Sequence, residues 1–307
     1  MNALSQTPLT GAIESDISDR AFDRIARIAE REAGLQLSKS KISMIKSRLT
    51  RRLRALRIPT FDAYLDYLEN AEVGEEMSAF ISALTTNVSH FFREEHHFKF
   101  LTEVILPKIR PRLEKNGRLR IWSAGCSNGQ EAYSIAITLL RFDPSLANKD
   151  VRILATDIDP EVLETARRGV YTGALVSGLD ENTKDKFFDR SIDSGIETLT
   201  AHANLKNLIR FNKLNLHGNW PMKQSFDVIF CRNVIIYFDA AAQSKLFDRF
   251  ARALEPNGWM MLGHSERLSS DKYDVFTSCG ITTYQVGKSR ESVTLNDTKD
   301  RGLKTWH

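Results

Sequence analysis

A strand that breaks into a glycine loop and closes into a helix constrains this chain most. It runs Arg120-Ile121-Trp122-Ser123-Ala124-Gly125-Cys126-Ser127-Asn128-Gly129-Gln130-Glu131-Ala132-Tyr133-Ser134. The start is a short apolar strand, and the glycines at 125 and 129 mark the loop. Tyr133, Ile135, Ile137, Leu139 and Leu140 then read as a buried helix. Glycine lets a ligand approach the backbone closely, and a helix start offers unpaired N–H donors. The loop has neither the Lys-Ser/Thr of a phosphate-binding P-loop nor the spacing G-x-G-x-x-G. Glu131 would repel a pyrophosphate. It favours a ligand with hydroxyls and a cationic end, such as S-adenosylmethionine. A plain glycine turn joining strand to helix accounts for the same residues, so the loop alone does not decide.

The pattern around this segment sets the fold class. From Leu119 onward strands and helices alternate: Leu119–Trp122, Val151–Thr156, Phe226–Cys231 and Trp259–Gly263 read as strands, with helices over residues that start at Pro160 and over Ala240–Leu254. Alternation of this kind predicts an α/β, Rossmann-like, mostly parallel sheet with helices on both faces. Tyr273–Ser278 and Ile281–Val286, flanking Cys279-Gly280, predict a closing hairpin. Residues 171–215 interrupt the alternation. A helix over Asp180–Phe188 leads to Ile196–Thr200 and Leu208–Phe211, both read as short antiparallel strands of a small β insertion. Pro107 and Pro111 are expected to break the helix carrying Phe98, Leu101, Ile105 and Ile109.

The first part of the chain is different. Ser18 or Asp19 can cap a helix with Phe22, Ile25, Ala26 and Ala29. Ile42, Ile45, Leu49, Leu53 and Leu56 form one helical stripe, and two short helices follow Thr60 and Gly74. Residues 15–85 thus predict a small all-helical domain, residues 86–97 a linker, and 98–287 the α/β domain. Residues 1–14 and 288–307 are polar and without period, which predicts loose ends.

Charge singles out one helix. Residues 39–57 hold eight basic side chains and no acid, so the remainder carries 35 basic against 39 acidic groups. The chain as a whole is not basic; one segment is, and it implies one anionic partner surface. Lys41, Lys46, Arg48, Arg51, Arg52 and Arg54 are its docking candidates. Few aromatics interleave with them, which argues against nucleic acid. Cys126, Cys231 and Cys279 are odd in number and far apart, which fits a reducing, cytoplasmic setting. No apolar run approaches the length of a membrane span, and no signal pattern opens the chain, so no membrane insertion is expected. His96 and His97 are expected on different helix faces, so no metal site is expected.

In an open α/β sheet, ligands bind at the C-terminal ends of the strands. Those ends supply Gly125–Glu131, Asp157 with Asp159, Asn215, Arg232-Asn233 and His264-Ser265-Glu266. Asp157 is the better ribose candidate, because Asp159 can cap the helix starting at Pro160. At this point several motifs are recognisable in order. They are Thr85-Thr86-Asn87-Val88-Ser89-His90-Phe91-Phe92-Arg93-Glu94 with His96-His97-Phe98, Trp122-Ser123-Ala124, Asp157-Ile158-Asp159, Phe230-Cys231-Arg232-Asn233-Val234-Ile235-Ile236-Tyr237-Phe238, and Gly263-His264-Ser265-Glu266. Together they resemble the CheR family, the chemotaxis-receptor glutamate O-methyltransferases that use S-adenosyl-L-methionine. The resemblance runs from the helical domain to about residue 287.

The resemblance implies roles. Asn87, Ser89 and Arg93 match linker residues lining the cleft, and Ser89 stands where many relatives have threonine. Gly125, Glu131 and Asp157 match the cofactor loop and its acids. Asn215, Leu216, Arg232 and Asn233 match positions around the cofactor. Arg93 and Tyr237 match the residues that hold the substrate carboxylate. The glycine loop reads Ser127-Asn128-Gly129-Gln130-Glu131-Ala132-Tyr133-Ser134 where many relatives have Ser-Thr-Gly-Glu-Glu-Pro-Tyr-Ser; the glycine and the second acid remain. The implied partners are the methylation helices of chemoreceptors, which carry Glu and Gln rows that a basic helix would dock. In the family a β insertion can also bind a receptor's C-terminal tethering peptide, but Ser191-Ile192-Asp193-Ser194-Gly195 lacks the glycine-rich look of tether-binding members. Two other readings of the residues stay open: an RNA or small-molecule methyltransferase on this fold, and a signalling adaptor without turnover.

Overall fold

The computed structural model describes residues 16–70, 74–85, 87–268, 272 and 274–287. The loose ends expected at 1–14 and 288–307, and Tyr273 of the expected hairpin, lie outside them.

The helical domain begins with α1 (Asp19–Ala33). Ser18 caps it by accepting from the Ala21 N–H, and Gly34 ends it in a left-handed conformation (φ 69°). A 3-10 turn (Lys39–Lys41) leads into α2 (Ile42–Leu56), followed by α3 (Phe61–Asn70) and α4 (Gly74–Leu84). Of the stripe read from α2, Ile45, Leu49 and Leu53 are fully buried, against Phe22, Ile25, Tyr64 and Phe80. Helices this short are marginal alone, so this shared core holds them.

After the linker, α5 (His96–Phe100), a π turn (Leu101–Ile105) and α6 (Leu106–Glu114) run on without a break. The expected breaks at Pro107 and Pro111 are therefore corrected. Pro107 sits in the first turn of α6, where its missing N–H matters least, and the Leu106 N–H bonds to the Leu101 carbonyl across the π turn.

The main sheet contains β1 (Leu119–Ala124), β2 (Val151–Asp157), β6 (Ile209–Lys213), β7 (Phe226–Cys231), β8 (Leu254–Leu262), β9 (Phe276–Gly280) and β10 (Thr283–Val286). Its order is β6-β2-β1-β7-β8-β10-β9. The first five are parallel, and β10 and β9 close the sheet antiparallel. The hairpin turns at Ile281-Thr282, two residues later than the expected Cys279-Gly280. Between strands lie α7 (Gln130–Phe142), α8 (Pro160–Arg168), α10 (Ala203–Leu208) and α11 (Ala240–Ala253). Neighbouring strand residues face opposite ways, so one strand feeds two cores. Ile121, Val228 and Met261 join α7's Ile135 and Leu139; Trp122, Ile229 and Met260 join α11's Phe247 and Phe250. Trp122 is fully buried among Trp220, Phe226 and Phe250, and its Nε1 donates to Thr156 Oγ1 at 2.9 Å. Truncating such a side chain to alanine typically costs about 3–5 kcal/mol.

The small insertion consists of β3 (Val170–Thr172), α9 (Glu181–Phe187), β4 (Phe188–Asp193) and β5 (Ile196–Ala201), with strand order β3-β5-β4, all antiparallel. Leu208–Phe211 does not belong to it. Residues from Ile209 form β6, which pairs parallel with β2 at the edge of the main sheet. A short apolar run with no neighbour named reads alike in either sheet, and only the pairing partner separates the two.

Candidate active site

A cleft opens at the C-terminal ends of β1, β2 and β7. The linker and the end of α1 cover it. All the cleft residues expected from the resemblance line it together: Asn87, Ser89, Arg93, Gly125, Glu131, Asp157, Asn215, Leu216, Arg232, Asn233 and Tyr237. Ala33, Leu35, Val88, Phe98, Leu214, Val234 and Phe238 add an apolar lining.

The glycine loop is held from β2. The N–H groups of Gly125 and Cys126 both donate to the Thr156 carbonyl, at 2.8 and 2.9 Å. Gly125 has φ 84°, and a Cβ there would lie 2.3 Å from Val234 Cγ2. Any side chain would thus be strained and would collide with the opposite wall of the cleft. Ser127 turns left-handed (φ 49°) and donates its N–H to Asp157 Oδ2 at 2.8 Å.

Asp157 ends β2. Its other oxygen accepts from the Asp159 N–H at 3.0 Å. Burial pushes its carboxyl up to about 6, against these backbone donors. Asp159 divides its work. Oδ1 caps α8 through the Glu161 N–H at 2.9 Å, as expected. Oδ2 accepts from Ser82 Oγ and Asn87 Nδ2, each at 2.6 Å. That second role ties α4 and the linker to β2, and nothing in the spacing announces it.

The opposite wall is a charged chain. Arg232, with 2% of its side chain exposed, contacts Glu94 at 3.3 Å and Glu131 at 3.2 Å, and also donates to the Arg93 carbonyl. Glu131 takes a further bond from Ser123 Oγ at 2.6 Å, and burial pushes its carboxyl up against the pull of Arg232. Glu94 accepts from the N–H and Nδ1 of His264 at 3.0 and 3.1 Å. Burial would raise Glu94, but Arg232 and His264 outweigh it and hold the carboxyl at about 2. The resemblance places Arg232 around the cofactor. Its stem does line the cleft, but its guanidinium is committed to the protein.

Arg93 donates to the Val88 carbonyl at 3.2 Å. It does not pair with its acidic neighbours, because Glu94 is taken as above and Glu95 by Lys99 at 3.2 Å. Tyr237 closes a 3-10 turn (Ile235–Tyr237); its carbonyl accepts from the Gln36 N–H at 2.8 Å, and Lys41 Nζ lies 4.9 Å from its ring centroid. Asn215 Nδ2 donates to the Glu32 carbonyl at 2.7 Å. The helical domain therefore touches the cleft at several points.

Two expectations need correction here. The His96 and His97 rings lie 4.1 Å apart, not on separate faces. Helical position sets only the direction of Cβ, and two side-chain torsions bring the rings together. With Glu94 they bring one possible metal-ligating atom each within 4.8 Å of one another. Arg232 holds the same carboxylate, and burial and Arg232 depress His97 to about 3, so His97 is neutral. The basic helix is also less free than its charge count implies. Arg52 pairs with the buried Glu76, which also accepts from Tyr64 Oη at 2.7 Å, and Arg48 donates to the Thr85 carbonyl and to that of Ala83 at 3.3 Å. Lys46 lies 3.4 Å from Asp16. Arg51 and Arg54 are exposed.

Comparison with known proteins agrees with this geometry. Residues 20–85 match the model of the CheR methyltransferase all-α domain, and residues 87–285 that of the CheR methyltransferase SAM-binding domain. A Rhizobium etli protein named "Probable chemotaxis protein methyltransferase" is 42% identical over 83% of this chain and 95% of its own length. Chemotaxis protein methyltransferase 2 of Pseudomonas aeruginosa is 38% identical over 92% of this chain and 99% of its own length. The Escherichia coli chemotaxis protein methyltransferase is 37% identical, covering 89% and 92% respectively. This chain belongs to the CheR methyltransferase family.

Proposed function

We propose that this chain transfers a methyl group from S-adenosyl-L-methionine to glutamate side chains of chemoreceptors, giving methyl esters and S-adenosyl-L-homocysteine. One observation carries the reading. Asp157 is a buried acid at a strand end that faces the cleft with only backbone donors on it among the described residues, while Arg93 and Tyr237 stand on the same cleft.

The residues fit the cofactor. Gly125 leaves bare backbone where a Cβ would fill the cleft, and Asp157 offers carboxylate lone pairs to vicinal hydroxyls. Asn87, Ser89, Glu131, Asn215, Leu216 and Asn233 complete the cofactor's surroundings. When bound, the cofactor supplies an electrophilic methyl with a neutral thioether as leaving group.

The protein's task is then mainly positional. A glutamate side chain ionises near pH 4.3, so at neutral pH it is already nucleophilic and needs no general base. Arg93 and Tyr237 orient one carboxylate oxygen and leave the other free, since a full fork-like contact to both would withdraw nucleophilicity. Such alignment is worth on the order of 7–11 kcal/mol at best. Opposite charges are neutralised as the ester forms, so the apolar lining from Leu35, Val88, Phe98 and Phe238 favours the step by excluding water. Arg51 and Arg54 supply the exposed charge that draws acidic receptor helices to the cleft mouth.

A tethering peptide would use the small sheet. β4 is an edge strand, and Ile192 and Ile196 beside its turn are 75% and 59% exposed. An extended peptide can add to such an edge. If this surface is used, removing a receptor's C-terminal peptide slows its methylation.

The main test is transfer of radiolabelled methyl to membranes containing chemoreceptors, followed by mild alkali. The expected result is label on a receptor band, released as volatile methanol and abolished by Arg93→Ala. Alkali-stable label on RNA or a small molecule would replace the reading with another methyltransferase. Cofactor binding with no label on any receptor preparation would leave an adaptor.

A further inference from the structure

We infer that Glu266 is a positioning residue for methyl transfer: its buried carboxylate gathers the consecutive backbone N–H groups of residues 233–236 and so sets the place of Tyr237 at the acceptor end of the cleft. Glu266 is 4% exposed. Its Oε2 accepts from the N–H groups of Gly263 at 2.6 Å and Asn233 at 2.9 Å. Its Oε1 accepts from Val234 at 2.9 Å, Ile235 at 2.8 Å and, more distantly, Ile236 at 3.4 Å. A run of N–H groups converging on one anion is a nest, normally occupied by a ligand or a phosphate. Here the protein supplies the anion.

The nest shapes the segment that enters the cleft. Asn233 has φ 60°, a left-handed conformation that, besides glycine, asparagine and aspartate adopt most readily. With β7 ending at Cys231, this left-handed residue turns the chain sharply, so Val234 meets the glycine loop and Tyr237 reaches the cleft. In the turn itself, the Tyr237 N–H bonds the Val234 carbonyl at 3.2 Å, and the Phe238 N–H bonds that of Ile235 at 3.0 Å. The residues held by Glu266 are thus the ones that hold Tyr237. Gly263 makes the arrangement possible. A Cβ there would stand 2.8 Å from Glu266 Oε2 and 2.7 Å from Asn233 Nδ2. Glutamine at 266 keeps the size but brings an NH2 where N–H donors already point, so one side of the nest must open.

The inference rests on the methyl-transfer reading, and the test separates the two. Single-turnover methylation is measured for wild type, Glu266→Gln, Tyr237→Ala and the double variant, with folded protein counted by S-adenosylhomocysteine titration. No alkali-labile label from wild type would overturn the methyl-transfer reading and this inference with it, whereas the outcomes below overturn the inference alone. With wild type active, Glu266→Gln is expected to slow the step on the order of 10²-fold, as a small misplacement does. In the Tyr237→Ala background it should slow the step by no more than about threefold, because its effect passes through Tyr237. Multiplicative losses in the double variant, or an unchanged rate in Glu266→Gln, would overturn the inference. Should Glu266→Gln not fold, Glu266→Asp carries the same comparison: it retains the anion but cannot span both halves of the nest. Failure of both to fold would also overturn it, since Glu266 would then govern stability and not position.

Discussion

Asp157 and Glu94, acids on facing walls of one cleft, are held in opposite ways. On the β2 side, Asp157 has only backbone N–H donors among the described residues, and burial lifts its carboxyl to about 6. On the β7 side, Arg232 lies between Glu94 and Glu131, and Glu94 is held at about 2. On the proposed function, the difference separates an acid left free for the ligand, Asp157, from one bound into the scaffold, Glu94. A carboxylate that has its own cation is already satisfied. One left in a partly desolvated site without a cation still gains from the hydroxyls of a ligand.

The strongest break in this comparison is Arg232→Met. It leaves Glu94 and Glu131 buried without their cation and should cost about 3–5 kcal/mol of stability in urea unfolding. If it costs little, the β7 wall is not scaffold. Asp157→Asn should do the reverse. On the proposed role it removes charge-assisted bonds to the cofactor, weakening S-adenosylhomocysteine about 10- to 100-fold by calorimetry, while stability changes little, because relief of the buried charge offsets the one backbone bond that the new amide group cannot accept. A third check uses pH. On the proposed role Asp157 binds the ligand only when ionised, so affinity should fall by up to about tenfold per unit as pH drops below 6, and the dependence should vanish in Asp157→Asn.

The same measurement distinguishes the walls in the free protein. Asp157 takes its proton earlier folded than unfolded, so from this group stability rises as pH falls from about 6 toward 3.8. Glu94 has the opposite sign: its contribution is present above pH 4.5 and is lost as pH falls toward about 2. Substituting each acid in turn should remove one limb of the acid unfolding curve. The smallest effect is Ser123→Ala, which removes one hydrogen bond from Glu131 and should cost about 1 kcal/mol, leaving cofactor affinity nearly unchanged.

Much of the fold is legible in the sequence. The alternating pattern gives the parallel sheet, and strand ends locate the cleft because a twisted α/β sheet leaves its crevice there. Capping chemistry marks Asp159, and it does cap α8. What was not legible depends on partners distant in sequence. Leu208–Phe211 has the residue types of a strand, but nothing local says that β2 will be its neighbour. Arg52 looks like its exposed neighbours Arg51 and Arg54 until Glu76, from another helix, claims it. Glu94 and Glu266 sit inside recognised motifs, yet only the fold reveals that one neutralises an arginine and the other collects amides. Charge counting along a helix cannot tell a docking cation from a strut.

The bond between the Gln36 N–H and the Tyr237 carbonyl bears on how freely the helical domain could be exchanged. Ala33 and Leu35, at the end of that domain's first helix, form part of the cleft wall, and the Glu32 carbonyl holds Asn215. The domain is therefore not an interchangeable cartridge. Grafting on the bundle of a relative to redirect the enzyme to a new receptor would also rebuild the floor on which its catalysis stands. A successful chimera would have to keep residues 32–36 from the host and swap only the outward face of α2.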